Sequence, residues 1–169
     1  MSESEVAASN QYLTFTLEEE VFALDIHKVR EVLDFTTITK VPQTPDYLRG
    51  VINLRGSVVP VVDMRLRFGM PAAVKTVNTC VIIAEVRAGG ETLVLGAMAD
   101  SVQEVLDMEP EQIEPPPRIG TKLNSEFLRG MGKHNDQFVM VLDIDQVFSC
   151  NEMSLLQGSE ETAMDAVNG

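Results

Sequence analysis

Tryptophan is absent from this chain of 169 residues, and aromatic residues of all kinds make up only 5% of it. Histidine and cysteine occur twice each, as His27, His134, Cys80 and Cys150, without the spacing that the common zinc sites require. The two cysteines could in principle pair, but free thiols are the usual state when a sequence shows no sign of export. The sequence therefore predicts neither a metal centre nor a disulfide-dependent fold.

Basic residues are also scarce, because 13 Lys and Arg face 26 Asp and Glu and leave a net charge of −13. A surface of this sign repels a phosphate backbone, so we expect no nucleic acid partner. No stretch approaches the roughly eighteen consecutive apolar residues of a membrane helix, and the start, Met-Ser-Glu-Ser-Glu, lacks the regions of a secretory signal. We therefore expect a cytoplasmic protein without direct membrane insertion.

The residues that are abundant favour β-structure. Apolar residues make up 44% of the chain, with many Val, Ile and Leu. Alternating apolar residues at 12–17 and 21–26, separated by a polar break at 18–20, predict a β-hairpin. Apolar residues at helical spacing within 27–33 predict a helix of about two turns after this hairpin.

An internal repeat is the most informative feature of the sequence. The segment Tyr-Leu-Arg-Gly at 47–50 reappears as Phe-Leu-Arg-Gly at 127–130, an offset of 127 − 47 = 80. The other matching segments are 58–63 with 138–143, at the same offset of 80, and 29–34 with 102–107, at an offset of 73. Three ordered matches predict two copies of one β-rich unit, each with about five strands.

Short strands punctuated by glycine and proline, without long helical crossovers, close most readily into small barrels. We predict a mainly β fold of two small five-stranded barrels, of the Src-homology-3-like kind, with short helices that include one near the C-terminus. The predicted boundaries are a flexible tail at 1–11, a single domain at 12–157 with barrels at about 12–71 and 78–150, a helix at 151–157 and an acidic tail at 158–169.

A search for catalytic groups finds no convincing motif. The segment Gly-Met-Gly-Lys at 130–133 lacks the first glycine and the Ser or Thr of a phosphate loop, and a hairpin turn explains it better. Asp63 and Asp143 end equivalent segments of the two copies, which favours a shared capping role over catalysis. We therefore predict a protein that is not an enzyme and that binds no cofactor.

The segment Gly-Val-Ile-Asn-Leu-Arg-Gly at 50–56, followed by Val-Val-Pro-Val-Val-Asp-Met-Arg at 58–65, resembles the signature of CheW adaptors and of the related regulatory domain of CheA kinases. The segments that fit the family around it are 22–26, Val29 with Glu31, 44–45 and 151–153. The similarity spans about residues 12–156. Because segments for phosphotransfer, dimerisation and ATP binding are missing, the resemblance is to a stand-alone adaptor.

The resemblance implies a CheW-like fold in which the cytoplasmic hairpin tip of a methyl-accepting chemoreceptor docks in the groove between the barrels. A further face would bind the regulatory domain of a CheA-type histidine kinase, at residues that the sequence does not identify. Carried over by position, Val29 would supply an apolar contact, Glu31 and Arg55 would form or exchange a charge pair, and Gly50 would permit close approach. Val102, the counterpart of Val29, would line the same groove.

The residues alone leave other interpretations open. Val29 could pack in the core, Glu31 could be a solvated surface residue, and Arg55 could be an ordinary turn arginine. At the level of function, a CheW-like scaffold of a receptor-kinase pathway other than chemotaxis is the closest alternative. An enzyme with an unrecognised site and an oligonucleotide-binding barrel are more distant ones.

Overall fold

A computed structural model of the protein describes residues 10–88, 90–115 and 127–147. Its ten strands are β1 (Gln11–Leu17), β2 (Glu20–Asp25), β3 (Val29–Asp34), β4 (Leu48–Leu54), β5 (Ser57–Asp63), β6 (Cys80–Ala88), β7 (Glu91–Ala99), β8 (Ser101–Asp107), β9 (Leu128–His134) and β10 (Gln137–Leu142). Its helices are α1 (Met64–Arg67), α2 (Ile144–Val147) and two 3-10 turns, Ile26–Lys28 and Pro110–Gln112, and none of these could cross a lipid bilayer. The mainly β class and the hairpin of β1 and β2 are confirmed. The predicted helix at 151–157, the acidic tail and residues 1–9 lie outside the described residues.

The strands form two five-stranded sheets. The sheet that we call the first barrel has the order β8-β1-β2-β10-β9, and the sheet that we call the second barrel has the order β3-β6-β7-β5-β4. Each barrel therefore combines two strands from one half of the chain with three from the other half. Two five-stranded units are confirmed, but the prediction of one barrel at 12–71 and the other at 78–150 is wrong.

The exchange between the halves occurs after the second strand of each repeat. In the first half, the 3-10 turn Ile26–Lys28 leads out of β2, and β3 then pairs with β6. In the second half, Asp100 separates β7 from β8, which pairs with β1. The repeat in the sequence fixes the order of strands within a copy. It does not fix whether a strand pairs with its own copy or with the other, because both arrangements use the same apolar pattern.

The predicted helix at 27–33 is also wrong, because the chain makes one 3-10 turn there and continues as β3. The helical spacing of Val29 and Val32 has a different cause. A β-bulge between Val29 and Glu31 shifts the register against β6 by one residue. In a regular strand two residues three positions apart point to opposite faces, whereas the bulge brings Val29 and Val32 to the same face.

An isolated bridge closes each barrel. In the second barrel, Thr39 and Val51 exchange two backbone hydrogen bonds, each 2.8 Å from nitrogen to oxygen. In the first barrel, Glu114 and Met131 make the equivalent pair, at 2.9 and 2.8 Å. Each bridge joins the segment that follows one outermost strand to the other outermost strand, and this satisfies backbone groups that an open sheet edge would leave exposed.

The largest apolar cluster lies between the two barrels. We call it the interface cluster, and its most fully buried members are Phe15, Leu17, Phe22, Leu24, Val62, Met64, Ile82, Ala84, Val86, Leu95, Ala99, Leu142 and Val147. Four rings run through it: the centroid of Phe22 lies 5.9 Å from that of Phe15 and 5.8 Å from that of Phe68, which lies 5.6 Å from that of Phe127. Smaller clusters contribute to each barrel, around Val139 and Val141 in the first and around Val61 and Ile83 in the second.

The capping role predicted for Asp63 is confirmed. This residue is fully buried at the end of β5, and its carboxylate accepts hydrogen bonds from the backbone nitrogens of Arg65 and Ala73, each at 3.0 Å. It therefore begins α1 and fixes the connection that follows. At the equivalent position, the backbone carbonyl of Asp143 accepts a bond from the nitrogen of Gln146 at 2.9 Å.

Closure of the second barrel depends on Gly50, which has a φ of +144°. A Cβ atom at this position would lie 2.1 Å from the carbonyl oxygen of Thr39. We predict that Gly50→Ala lowers the free energy of unfolding by about 2–4 kcal/mol, through the clash and the unfavourable backbone angle. Gly69→Ala is the matched control, because its φ is also positive, at +77°, but its Cβ would meet no atom within 4 Å. Urea unfolding measures both, and equal losses would show that closure at Gly50 is not the cause.

Candidate functional site

Arg55 and Glu31 form an ion pair across the outermost strands of the second barrel. Arg55 and Gly56 make the two-residue turn between β4 and β5, with φ values of +51° and +87°, as the tight hairpin turns of twisted sheets require. The amide of Gly56 donates to the Asn53 side chain at 2.8 Å. The turn aims the Arg55 guanidinium at β3, where Nη1 and Nη2 donate to the two carboxylate oxygens of Glu31 at 2.7 and 2.8 Å.

This pair faces the solvent. The side chain of Arg55 is 71% exposed and that of Glu31 is 27% exposed. The hydrogen bonds from Arg55 lower the pKa of the Glu31 carboxyl group, and the same bonds raise the pKa of the guanidinium. An exposed pair stabilises a fold little. Its bidentate geometry does hold the guanidinium in one orientation, with further N–H donors that a partner could use.

Val29 lies at the margin of the interface cluster. It stands opposite Ala84 of β6, is half-buried and packs against the cluster. One part of the Val29 side chain is therefore packed in the core, and another part is exposed at the surface. Val32, on the same face, is 40% exposed, so the outer face of β3 continues as an uncovered apolar line beyond Val29.

Gly50 does not reach the surface of this site. It is buried, and the space beside it is filled by the backbone of Thr39 and the side chain of Ile38. The close approach that Gly50 permits is therefore made by the chain itself. Because Thr39 bridges to Val51 in β4, the strand that leads to the Arg55 turn, Gly50 acts on the site by holding β4 in place.

Val102 belongs to the other barrel. It stands opposite Phe15 of β1, is half-buried and packs against the interface cluster, as Val29 does. Two cross-barrel ion pairs lie close to these valines in the chain. Lys28 donates to Asp145 at 2.7 Å, and Arg65 pairs with Asp100 through its Nε at 3.0 Å. The structure thus places Val29 and Val102 at equivalent margins of the interface, one in each barrel.

Arg67 is a contact residue of the interface that the sequence patterns did not reveal. Its guanidinium carbon lies 4.8 Å from the ring centroid of Phe127 and 5.5 Å from that of Tyr47, and its Nη2 donates to the Val147 carbonyl oxygen at 2.5 Å. Tyr47 and Phe127 are equivalent at the offset of 80, and so are Arg67 and Val147. The repeat carried the signal for this contact: residues equivalent in both copies meet where the copies face each other.

The histidines have acidic neighbours. Nδ1 of His27 lies 2.9 Å from Oδ1 of Asp25, and Nε2 of His134 lies 3.4 Å from Oε1 of Glu104. Within residues 10–88, 90–115 and 127–147, His, Cys, Asp and Glu side chains form no group of three that could hold a metal ion. Each histidine therefore lies beside a single carboxylate.

Comparisons with known proteins give consistent results. The family model described as "CheW-like domain" matches residues 11–152. "Chemotaxis protein CheW" of Klebsiella aerogenes is 36% identical over 146 residues, which cover 86% of each chain. The protein of the same name from Rhizobium meliloti is 34% identical over 142 residues, 84% of this chain and 89% of the relative. The crystal structure of "scaffolding protein TtCheW" from Thermoanaerobacter tengcongensis has a TM-score of 0.75 and 35% identity, and the match covers 85% of this chain and 90% of that one.

The ion pair predicts a pH dependence. Because Arg55 lowers the pKa of Glu31 in the folded state, the contribution of the pair to stability is present above the unfolded-state pKa of about 4.3 and is lost as the pH falls through the lower folded-state value. We expect Arg55→Gln to raise the pKa of Glu31 towards its ordinary value. Carbon-13 NMR titration of the Glu31 carboxyl measures this. Arg30→Gln removes an arginine that pairs with Glu85, and a similar rise in that control would contradict the assignment.

Proposed function

Because this chain belongs to the family of CheW-like domains, we propose that it is a non-enzymatic adaptor that couples transmembrane chemoreceptors to a CheA-type histidine kinase. The proposal is supported by the family match over residues 11–152 and by relatives that are named chemotaxis proteins. The similar solved structure is titled a scaffolding protein. In this proposal the protein works in the cytoplasm and is recruited to receptor arrays at the membrane, without a cofactor.

The bidentate pair of Arg55 and Glu31 beside Val29 is the observation that carries the proposed receptor contact. A helical receptor tip that rests on the outer face of β3 would bury Val29 and bring its own polar residues to Arg55. A receptor carboxylate can take the place of Glu31 on the guanidinium, so that the arginine stays paired throughout docking. We propose Val102 as a further contact at the equivalent margin of the other barrel, and Gly50 as a residue that supports the site from below.

Exchange of one carboxylate for another suits an adaptor that must bind reversibly. An arginine that lost its partner on docking would be desolvated without compensation, which weakens binding. Here Glu31 keeps the guanidinium oriented before docking, so less conformational freedom is lost when the partner arrives. The remaining contact is apolar and small, as in many transient signalling interfaces.

Charge reversal tests this proposal. We expect Arg55→Glu to weaken receptor coupling at least about tenfold, equivalent to about 1.4 kcal/mol, because two carboxylates then face each other at β3 and β4. Combining Glu31→Arg with Arg55→Glu restores an ion pair in the reversed order and recovers part of the coupling. The measurement is kinase activity in a reconstituted mixture of receptor vesicles, adaptor and kinase, after circular dichroism has shown that each variant is folded.

Arg87→Glu is the matched control, because Arg87 is an exposed arginine whose backbone amide, and not its side chain, donates to Asp145. Unchanged kinase stimulation by the Arg55→Glu variant would refute the proposed docking contact, and an equal loss in the Arg87→Glu variant would reduce it to a general charge effect. Swimming of a deletion strain distinguishes chemotaxis from another receptor-kinase pathway, since only the first requires the adaptor for directed swimming.

A further inference from the structure

Half of the strand pairings among the described residues join the two halves of the chain. We define the first half as residues 10–67 and the second half as residues 80–147. The pairings within a half are β1 with β2, β4 with β5, β6 with β7, and β9 with β10. The pairings between the halves are β1 with β8, β2 with β10, β3 with β6, and β5 with β7. Neither half can therefore complete a barrel by itself.

The cross-barrel ion pairs and the largest apolar cluster also connect the halves. Lys28 and Arg65 of the first half pair with Asp145 and Asp100 of the second half. The interface cluster contains residues of β1, β2 and β5 from the first half and of β6, β7 and β10 from the second half. Because these contacts lie between the halves, the halves of two different molecules can make them in the same way.

A single stretch of chain, residues 68–79, joins the halves, and it contains no helix or strand. Its first part is tied to the first half of the chain. The nitrogen of Ala73 donates to the Asp63 carboxylate at 3.0 Å, and Nζ of Lys75 lies 4.8 Å from the ring centroid of Phe35. These contacts stay in place when the second half is moved, so the exchange of halves does not disturb them.

The remaining part of this stretch, residues 76–79, is a tight turn that we call the hinge. It is held by hydrogen bonds among its own residues. The nitrogen of Thr76 donates to Oγ1 of Thr79 at 2.9 Å, and the nitrogen of Thr79 donates to the Thr76 carbonyl oxygen at 3.2 Å. Val77 is 99% exposed. Opening the hinge therefore gives up local hydrogen bonds that water can replace, and it uncovers little apolar surface.

We infer that two molecules of this protein exchange halves and form a dimer, in which each pair of barrels contains the first half of one molecule and the second half of the other. The partner is thus a second molecule of the same chain. Val29 and Val102 of each pair of barrels then come from different molecules. The exchange itself does not depend on the proposed function, but its consequence does: a dimer with two docking sites joins two receptors.

Protein concentration decides between the single molecule and the exchanged dimer. The hinge holds the two halves of one molecule at an effective concentration of about 1 mM, as short flexible linkers do. The exchanged dimer contains the same strand pairings and ion pairs, so it competes when a second molecule reaches a similar concentration. We therefore expect single molecules at about 1 µM protein and a substantial dimer fraction at about 1 mM.

The native Cys80 offers a direct test of the exchange. It is a free cysteine at the start of β6 and stands opposite Asp34 of β3. Asp34→Cys therefore places two thiols at facing positions of antiparallel strands, within the range of a disulfide. Because β3 and β6 belong to different halves, the bond closes within one chain in the single molecule and links two chains in the exchanged dimer. Cys150→Ser removes the remaining thiol.

This variant is refolded from urea at about 1 µM and at about 1 mM protein and is then oxidised. Size-exclusion chromatography with light scattering separates the dimer from the single molecule. We expect the dimer only at the higher concentration, and we expect its chains to stay joined on a denaturing gel without reductant. The absence of a dimer at about 1 mM would overturn the inference. A dimer whose chains separate on the gel would be a surface contact and would also overturn it.

The matched control combines Asp34→Cys with Cys80→Ser and Cys150→Ser. Its one thiol lies on the first half, so it can link two molecules only through their surfaces. We expect no covalent dimer from this control. As much covalent dimer as in the first variant would show that the bond does not report on exchange, and the inference would fail.

Hinge length gives a second test that needs no cysteine. Deletion of Val77 and Asn78 removes the tip of the turn, so we expect the dimer fraction at a given protein concentration to rise at least about fivefold. Deletion of Pro42 and Gln43, two exposed residues of a connection within the first half, is the matched control and should change the fraction less than about twofold. No rise after the hinge deletion, or an equal rise in the control, would contradict exchange through the hinge. Neither test uses a receptor, so the inference and the proposed function can fail independently.

Discussion

Each barrel of this protein is completed by strands from the other half of the chain, so the packing of the two barrels against each other supports the whole structure. The interface cluster contains residues of β1, β2 and β10 from the first barrel and of β5, β6 and β7 from the second. Parallel pairs, β2 with β10 and β5 with β7, tie strands that are far apart in the sequence. Such contacts form only when both halves are present, which makes the two barrels one cooperative unit.

This dependence explains why a charged side chain lies at the interface. Arg67 meets two aromatic rings and a backbone carbonyl oxygen where equivalent parts of the two copies face each other. A guanidinium group is weakly hydrated and planar, so it can stack on rings and still donate hydrogen bonds. With the ion pairs of Lys28 and Arg65, it fixes the orientation of the barrels and, through them, the positions of Val29 and Val102.

Local features of this fold could be predicted from the sequence, and long-range ones could not. The hairpin at 12–26 and the cap at Asp63 follow from patterns that neighbouring residues decide, and the number of strands follows from the internal repeat. The exchange of strands between the two halves cannot be predicted in this way, because the same apolar pattern allows a strand to pair within its own copy or with the other copy. The bulge at Val29 gives the strand an apolar spacing like that of a helix, since it makes residues three positions apart share a face. For Gly50 the family resemblance implied a close approach, and the structure shows that Thr39 makes it.

Some equivalent positions of the two copies carry the same residue, and others carry different residues. Gly50 and Gly130 agree because a side chain at either would strike the backbone that closes its barrel. Arg55 and Asn135 differ at equivalent turns, where an exposed ion pair contributes only about 0–1 kcal/mol to stability. Folding therefore constrains these positions weakly, which supports the proposal that Arg55, held in bidentate geometry by Glu31, contacts a partner.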